Sequence, residues 1–230
     1  MTINDTPVLY SFRRCPYAMR ARMALLAARQ QVQLREIVLR DKPDEMLAAS
    51  PKATVPVLVL PDDSVLEESL DIMLWALRNS DPENWLSPES GDLDAMLELI
   101  TEMDGDFKHH LDHYKYATRH VSEEEAEAYS RQHRSAALAI LEGLDARLAT
   151  QPYLFGARRT LADVAIAPFV RQFANTDIDW FNAQPLPHLQ KWLRAFLADD
   201  LFVGVMPKFK PWKETGEAIA FPPTELAQAS

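Results

Sequence analysis

Two periodicities divide this chain, and the switch between them constrains its fold more than any other feature. Between residues 8 and 78, short apolar runs alternate with stretches whose apolar residues recur every three to four positions; beyond residue 92 only the second pattern persists. A strand shows the same face every second residue, a helix about every 3.6. The first part therefore reads as strands mixed with helices, the second as helices alone. Residues 8–12, 32–40, 57–60 and 64–67 read as strands, and 16–29, 43–49 and 69–78 as helices, the last with Leu70, Met73, Leu74 and Leu77 at i, i+3, i+4, i+7. The order is βαβαββα. The short Pro61-Asp62-Asp63 connection suits a hairpin, so the four-stranded sheet is expected to be mixed. Residues 79–92, rich in Asn, Ser and Pro, read as a polar linker.

After it, Leu93, Met96, Leu97, Ile100, Met103, Phe107, Leu111 and Tyr114 keep a helical period, with Asp104 inside the stripe. Ser122 with Glu125, and Thr160 with Asp163, have capping-box spacing at the heads of two further helices, the second with Pro168 inside it. Leu189, Trp192, Leu193, Phe196 and Leu197 mark a last one. Only six glycines in 230 residues agrees with a helix-dominated chain. The expected organisation is residues 1–78 as an α/β domain, 79–92 as linker, and 93–230 as an all-α domain. The aromatic tail, with Phe209 and Trp212, either closes over a cleft or packs on the helices.

At 47% hydrophobic and 25% charged, the chain can bury a sizeable core. Its longest uncharged stretch, residues 180–190, is too short for a spanning helix of ~20 apolar residues. No basic segment followed by an apolar run opens the chain, so a cytoplasmic location is expected. The net charge is −10, all of it arising after residue 80, where 24 acids face 14 bases. That balance argues against nucleic acid and anionic membrane as partners. In the neutral first part, Arg13, Arg14, Arg20, Arg22 and Arg29 form an acid-free stretch around Cys15, which suggests a local site for an anion. Cys15 is the only cysteine, so an internal disulfide and a cysteine-cluster metal site are both impossible, and redox chemistry must use an external thiol.

Cys15 follows the first strand and precedes Pro16, a residue favoured in the first turn of a helix. The sulfur thus falls at a helix N-terminus, where unpaired N–H groups and the positive dipole end favour a thiolate. Arg14-Cys15-Pro16-Tyr17-Ala18 resembles the active-site turn of the cytosolic glutathione transferase superfamily. It is most similar to the cysteine-type, omega-like members and to two-domain bacterial glutaredoxins. The resemblance continues in order through Lys42-Pro43, Thr54-Val55-Pro56-Val57-Leu58, Glu68-Ser69-Leu70-Asp71-Ile72 and Thr160-Leu161-Ala162-Asp163, covering essentially the whole chain.

The resemblance implies a thioredoxin-like first domain, a helical second domain contributing the second-substrate pocket, and glutathione as co-substrate. It implies Cys15 as nucleophile and Lys42 as the contact for the glycine carboxylate. Val55, ahead of a cis Pro56, would pair with the cysteinyl backbone, and Glu68 and Ser69 would hold the γ-glutamyl group. Elementary chemistry fits these roles. A residue before proline is driven extended and can pair as an added strand. A serine heading a helix offers its N–H and hydroxyl to a carboxylate.

Two departures refine the expectation. Position 18 is Ala18, so the dithiol glutaredoxin route is closed. Tyr10 and Ser11 are the nearby hydroxyls of the kind conjugating enzymes use, but Cys15 occupies the position assigned to chemistry. The expected reaction is mixed-disulfide exchange, a thiol transferase or reductase activity on an unidentified small-molecule or thiol/disulfide substrate. Conjugation of glutathione to electrophiles and a non-catalytic binding role are the alternatives. The resemblance further implies a homodimer. His109, His110 and His113 share one helix, but without the HExxH glutamate no metal is assigned; a polar lip of the substrate pocket or a solvated face is the expected role.

Overall fold

The computed structural model describes residues 6–223. Its contacts divide into two units: residues up to 83 together with those from 198 onward, and residues 84–197. The first unit holds β1 (Val8–Ser11), α1 (Pro16–Ala27), β2 (Val32–Glu36), α2 (Asp44–Ala49), β3 (Val57–Val59), β4 (Val65–Leu66) and α3 (Ser69–Asn79). The second holds α4 (Leu93–Glu102), a π-helical turn (Met103–Phe107), α5 (Lys108–Lys115), a 3-10 turn (Ala117–Arg119), α6 (Glu123–Leu148), α7 (Leu161–Ala174), α8 (Ile178–Asn182) and α9 (Pro187–Ala198), the last residue of which belongs to the first unit. The chain then adds α10 (Asp200–Gly204), α11 (Trp212–Thr215) and β5 (Ile219–Phe221) to the first unit. No helix among the described residues is long and apolar enough to cross a membrane.

The expected βαβαββα order is present, as is a mixed sheet, with β1 parallel to β2 and antiparallel to β3. The sheet has five strands, however, in the order β4-β3-β1-β2-β5, not four. Residues 219–221 return from the end of the chain and pair antiparallel with β2, Leu34 opposite Ile219. Three residues inside a proline-rich tail carry too little period to announce a strand; what makes them one is the open edge of β2, whose unpaired N–H and C=O groups need partners. The aromatic tail therefore belongs to the α/β unit, not to the helices it follows.

Side chains alternate across the sheet. Tyr10 and Val57 face Met46 of α2 together with Ile37, Val55 and the partly buried Trp212. Leu9, Leu34 and Leu58 are fully buried on the other side. α1 is buried nearly all round, arginines included, because α3 and α10 both pack against it.

The helical unit is built as the period indicates, with Met96, Ile100, Met103, Phe107 and Leu111 all at 0% exposure. The single expected helix through residue 114 is interrupted by the π turn at Gly105, which keeps Met103 and Phe107 in the core and leaves Asp104 half-buried. The Thr160/Asp163 capping box forms in full. The Ser122/Glu125 box does not: the serine hydroxyl donates to the glutamate carboxylate, 2.8 Å away, rather than capping an N–H. Residues 79–92 are more than a polar linker. Trp85 is completely buried, and its carbonyl accepts from the Leu161 N–H in the helical unit.

Candidate active site

Cys15 caps α1 as the sequence indicates. Its backbone is extended (φ −76°, ψ 124°), Pro16 follows inside the first turn, and its N–H donates to the Phe12 carbonyl at 3.0 Å. The side chain is half-buried and packs against the cluster of Tyr10, Ile37, Met46, Val55 and Val57. Its thiol donates to the Val55 carbonyl, Sγ–O 3.6 Å. The two residues lie 40 apart in sequence and meet because β3 runs beside β1. The Val55–Pro56 bond is cis, and both residues are buried.

Glu68 and Ser69 open α3, Glu68 as the N-cap residue and Ser69 inside the first turn. They are fastened to the rest of the site by two residues that the sequence reading did not place there. Arg20 reaches from α1 and donates its Nε to the Ser69 hydroxyl, 2.9 Å, with both residues buried. Lys52 forms an ion pair with the Glu68 carboxylate. The side chains of this pair are 46% and 62% exposed, so it is worth at most about 1 kcal/mol. An incoming ammonium can displace Lys52 at little cost. Lys42 lies half-buried just before α2. Long-range contacts of this kind leave no spacing signal; only the fold brings Arg20 and Lys52 to the head of α3.

The arginine stretch does not act as one anion site. Arg22 is completely buried and paired with Glu36. It also donates to the Ser11 hydroxyl (2.7 Å) and to the Val205 carbonyl of the returning tail (3.3 Å). Burial lowers its pKa from the ordinary arginine value, and Glu36 opposes that shift. Arg14 lies over the Phe12 ring, and Arg20 over Tyr17 as well as on Ser69. The Arg13 N–H donates to Glu36 at 2.8 Å. Arginines adjacent on the chain point in different directions on a helix, and two of the five serve the interior.

Two family models match the chain: the glutathione S-transferase N-terminal domain over residues 9–85 and the glutathione S-transferase C-terminal domain over residues 126–195. The chain belongs to the glutathione S-transferase superfamily. The chain is similar in fold to a tau-class glutathione S-transferase from mango, at 25% identity over 89% of this chain and 94% of that one, with a TM-score of 0.73. A glutathione transferase family member from Pseudomonas fluorescens Pf-5, crystallised with two glutathione bound, shares 19% identity over 90% and 94% of the two chains, TM-score 0.74. One from Methylobacillus flagellatus KT with glutathione bound shares 21% over 88% and 100%, also at 0.74. A search of curated proteins finds no match.

The two hydroxyls near Cys15 in sequence are both buried, and each accepts from an arginine. The Ser11 hydroxyl is 0% exposed and accepts from Arg22. The Tyr10 phenol is buried and accepts from Arg35, 2.7 Å; Arg35 also lies over the Trp212 ring at 4.1 Å. Burial raises the Tyr10 pKa, with the Arg35 charge opposing. Trp212 meets Tyr10 edge-on at 6.3 Å between ring centres, so this aromatic residue of the tail covers the sheet near Cys15.

The sequence reading paired His109 with His113. The fold does bring those two rings together, 4.0 Å between centres, and it also groups His109, His110 and His133, each offering one ring nitrogen within 4.8 Å of the others. His113 stacks on His133 at 4.7 Å, and His120 stacks on His113 at 3.9 Å. Burial, then the neighbouring imidazoles, lowers the pKa of His133; His110 is lowered by burial first, then by His109, with Asp106 opposing. His133 lies 20 residues beyond His113 on another helix, so spacing alone gives no hint of it.

Proposed function

We propose that this member of the superfamily is a cysteine-type, omega-like enzyme that catalyses glutathione-dependent mixed-disulfide exchange. One observation carries the reading: the only cysteine caps α1, its sulfur set on the Val55 carbonyl. The burial of Tyr10 and Ser11 supports it, since a thiolate of bound glutathione must reach a hydroxyl to be stabilised in the conjugating manner and neither residue is exposed. Glutathione bound in the Pseudomonas and Methylobacillus relatives supports glutathione as the co-substrate here. In this reading Val55 pairs with the cysteinyl backbone beside Pro56, Glu68 takes the γ-glutamyl ammonium in place of Lys52, Ser69 meets the γ-glutamyl carboxylate, and Lys42 takes the glycine carboxylate.

The chemistry proceeds in two displacements. The Cys15 thiolate attacks the glutathione sulfur of a mixed disulfide, and the acceptor leaves as a thiolate that picks up a proton. A second glutathione thiolate then attacks the Cys15–glutathione disulfide, releasing oxidised glutathione and restoring the Cys15 thiolate. The test is an exchange assay on a glutathione mixed disulfide, run beside a chlorinated aromatic electrophile. Exchange is expected to be fast and conjugation weak, and Cys15→Ser should abolish the exchange. Exchange that persists in Cys15→Ser, or conjugation that dominates in the native protein, would refute the reading.

A further inference from the structure

The geometry points to a metal site in the helical unit: His109 and His110 of α5 and His133 of α6 together form a binding site for one divalent transition-metal ion of the zinc, nickel and copper group. Five of the chain's six histidines meet here, the three ligands with His113 and His120. Five imidazoles crowded together repel one another as soon as they take up protons. A bound cation held by their lone pairs turns the same crowding into favourable bonds.

The donor set fixes the class of ion. Nitrogen ligands suit zinc, copper and nickel, whereas calcium and magnesium require oxygen. Three histidines leave a fourth tetrahedral position for water or another ligand.

The distances fit a site that closes on its ion. Nδ1 of His110 and Nδ1 of His133 are 2.8 Å apart, so one carries the proton and the other accepts it. Around a tetrahedral zinc with bonds of about 2.0–2.1 Å, two ligand nitrogens sit about 3.3 Å apart. Replacing the shared proton by a metal therefore parts this pair by about half an ångström, and the rest of the set, already within 4.8 Å, draws in by at most about 1.5 Å. The rings are also held in place. His133 is 9% exposed and lies against His113 on one side and Tyr129, 4.5 Å away, on another. His113 donates its Nδ1–H to the His109 carbonyl at 2.7 Å, and His120 stacks on it at 22°. Such outer contacts orient ligands and strengthen metal binding.

The full-length, untagged protein should be titrated with Co2+, followed by absorbance, and then with Zn2+ by calorimetry. One ion per chain is expected, with the visible bands of a tetrahedral cobalt site that Zn2+ bleaches. His109→Ala is exposed and His110→Ala only half-buried, so both should fold, as circular dichroism will show; each should weaken binding about tenfold or more. Cys15→Ser and His188→Ala should bind as the native protein does. The site is refuted if neither ion binds at about a hundred micromolar, if the His109→Ala/His110→Ala double variant binds undiminished, or if Cys15→Ser abolishes binding.

Discussion

At the scale of single residues, position on the fold decides what a charge or a thiol does. Cys15 stands at a helix N-terminus, and we predict that it ionises below the value of about 8.5 for a free thiol. The rate of alkylation by iodoacetamide, followed against pH, should inflect below that value; an inflection at or above it would show an unactivated thiol. Arg22 is the opposite case. It reads as one more cation in a basic stretch, yet its guanidinium is sealed inside the first unit on Glu36, Ser11 and Val205. Replacing it by leucine strands a buried carboxylate, at a cost of about 3–5 kcal/mol. Urea denaturation should show that loss, and Arg14→Leu, at an exposed site, should show almost none. Cys15 was legible because strand, cysteine and proline are contiguous. Arg20, Arg22 and Lys52 were not, because their partners lie 49, 14 and 16 residues away.

Among the elements, those with an uninterrupted period were legible, and those made by their neighbours were not. β1, β3, α1, α3 and α7 stand within a residue or two of where the apolar spacing puts them. β2 stops at Glu36 because the backbone beyond it turns, bridging Val38 to Asp41. α8 and α10 are too short to carry a period. The best-anchored helix start is that of α7. Buried Asp163 accepts from the Leu154 N–H, the Thr160 N–H and hydroxyl, and the Trp192 Nε1–H, all at 2.8–3.0 Å. Burial pushes its pKa up, and these donors hold it down. Asp163→Ala leaves several buried donors unpaired at roughly 1–3 kcal/mol each, so a loss of about 3–5 kcal/mol is expected after relaxation. Ser122→Ala should cost far less, since its hydroxyl caps no backbone group. Thermal melts of the two variants compare them directly.

For the whole molecule, the family and the neutral-then-acidic charge split lead us to predict a homodimer. Light scattering at micromolar concentration should give twice 26.1 kDa; a mass of 26.1 kDa would show a monomer. A chain cut after residue 197 should lose β5, α10 and Trp212, open the edge of β2 and unseat Arg22 from Val205. It is expected to aggregate, and its soluble yield measures the effect. The return of the tail also sets an order of events during synthesis. The helical unit is one continuous stretch, complete once residue 197 has been made, whereas the unit that holds Cys15 uses both ends of the chain. At about 5–20 residues per second, the 138 positions between residue 83 and the end of β5 take roughly 7–28 s to translate. Throughout that interval β2 keeps a bare edge, and until residue 205 has been made the Arg22 guanidinium lacks its Val205 carbonyl. The segment that carries Cys15 is therefore made before the helical unit yet finished after it, and the nascent thiol waits beside an incomplete sheet until β5 has emerged.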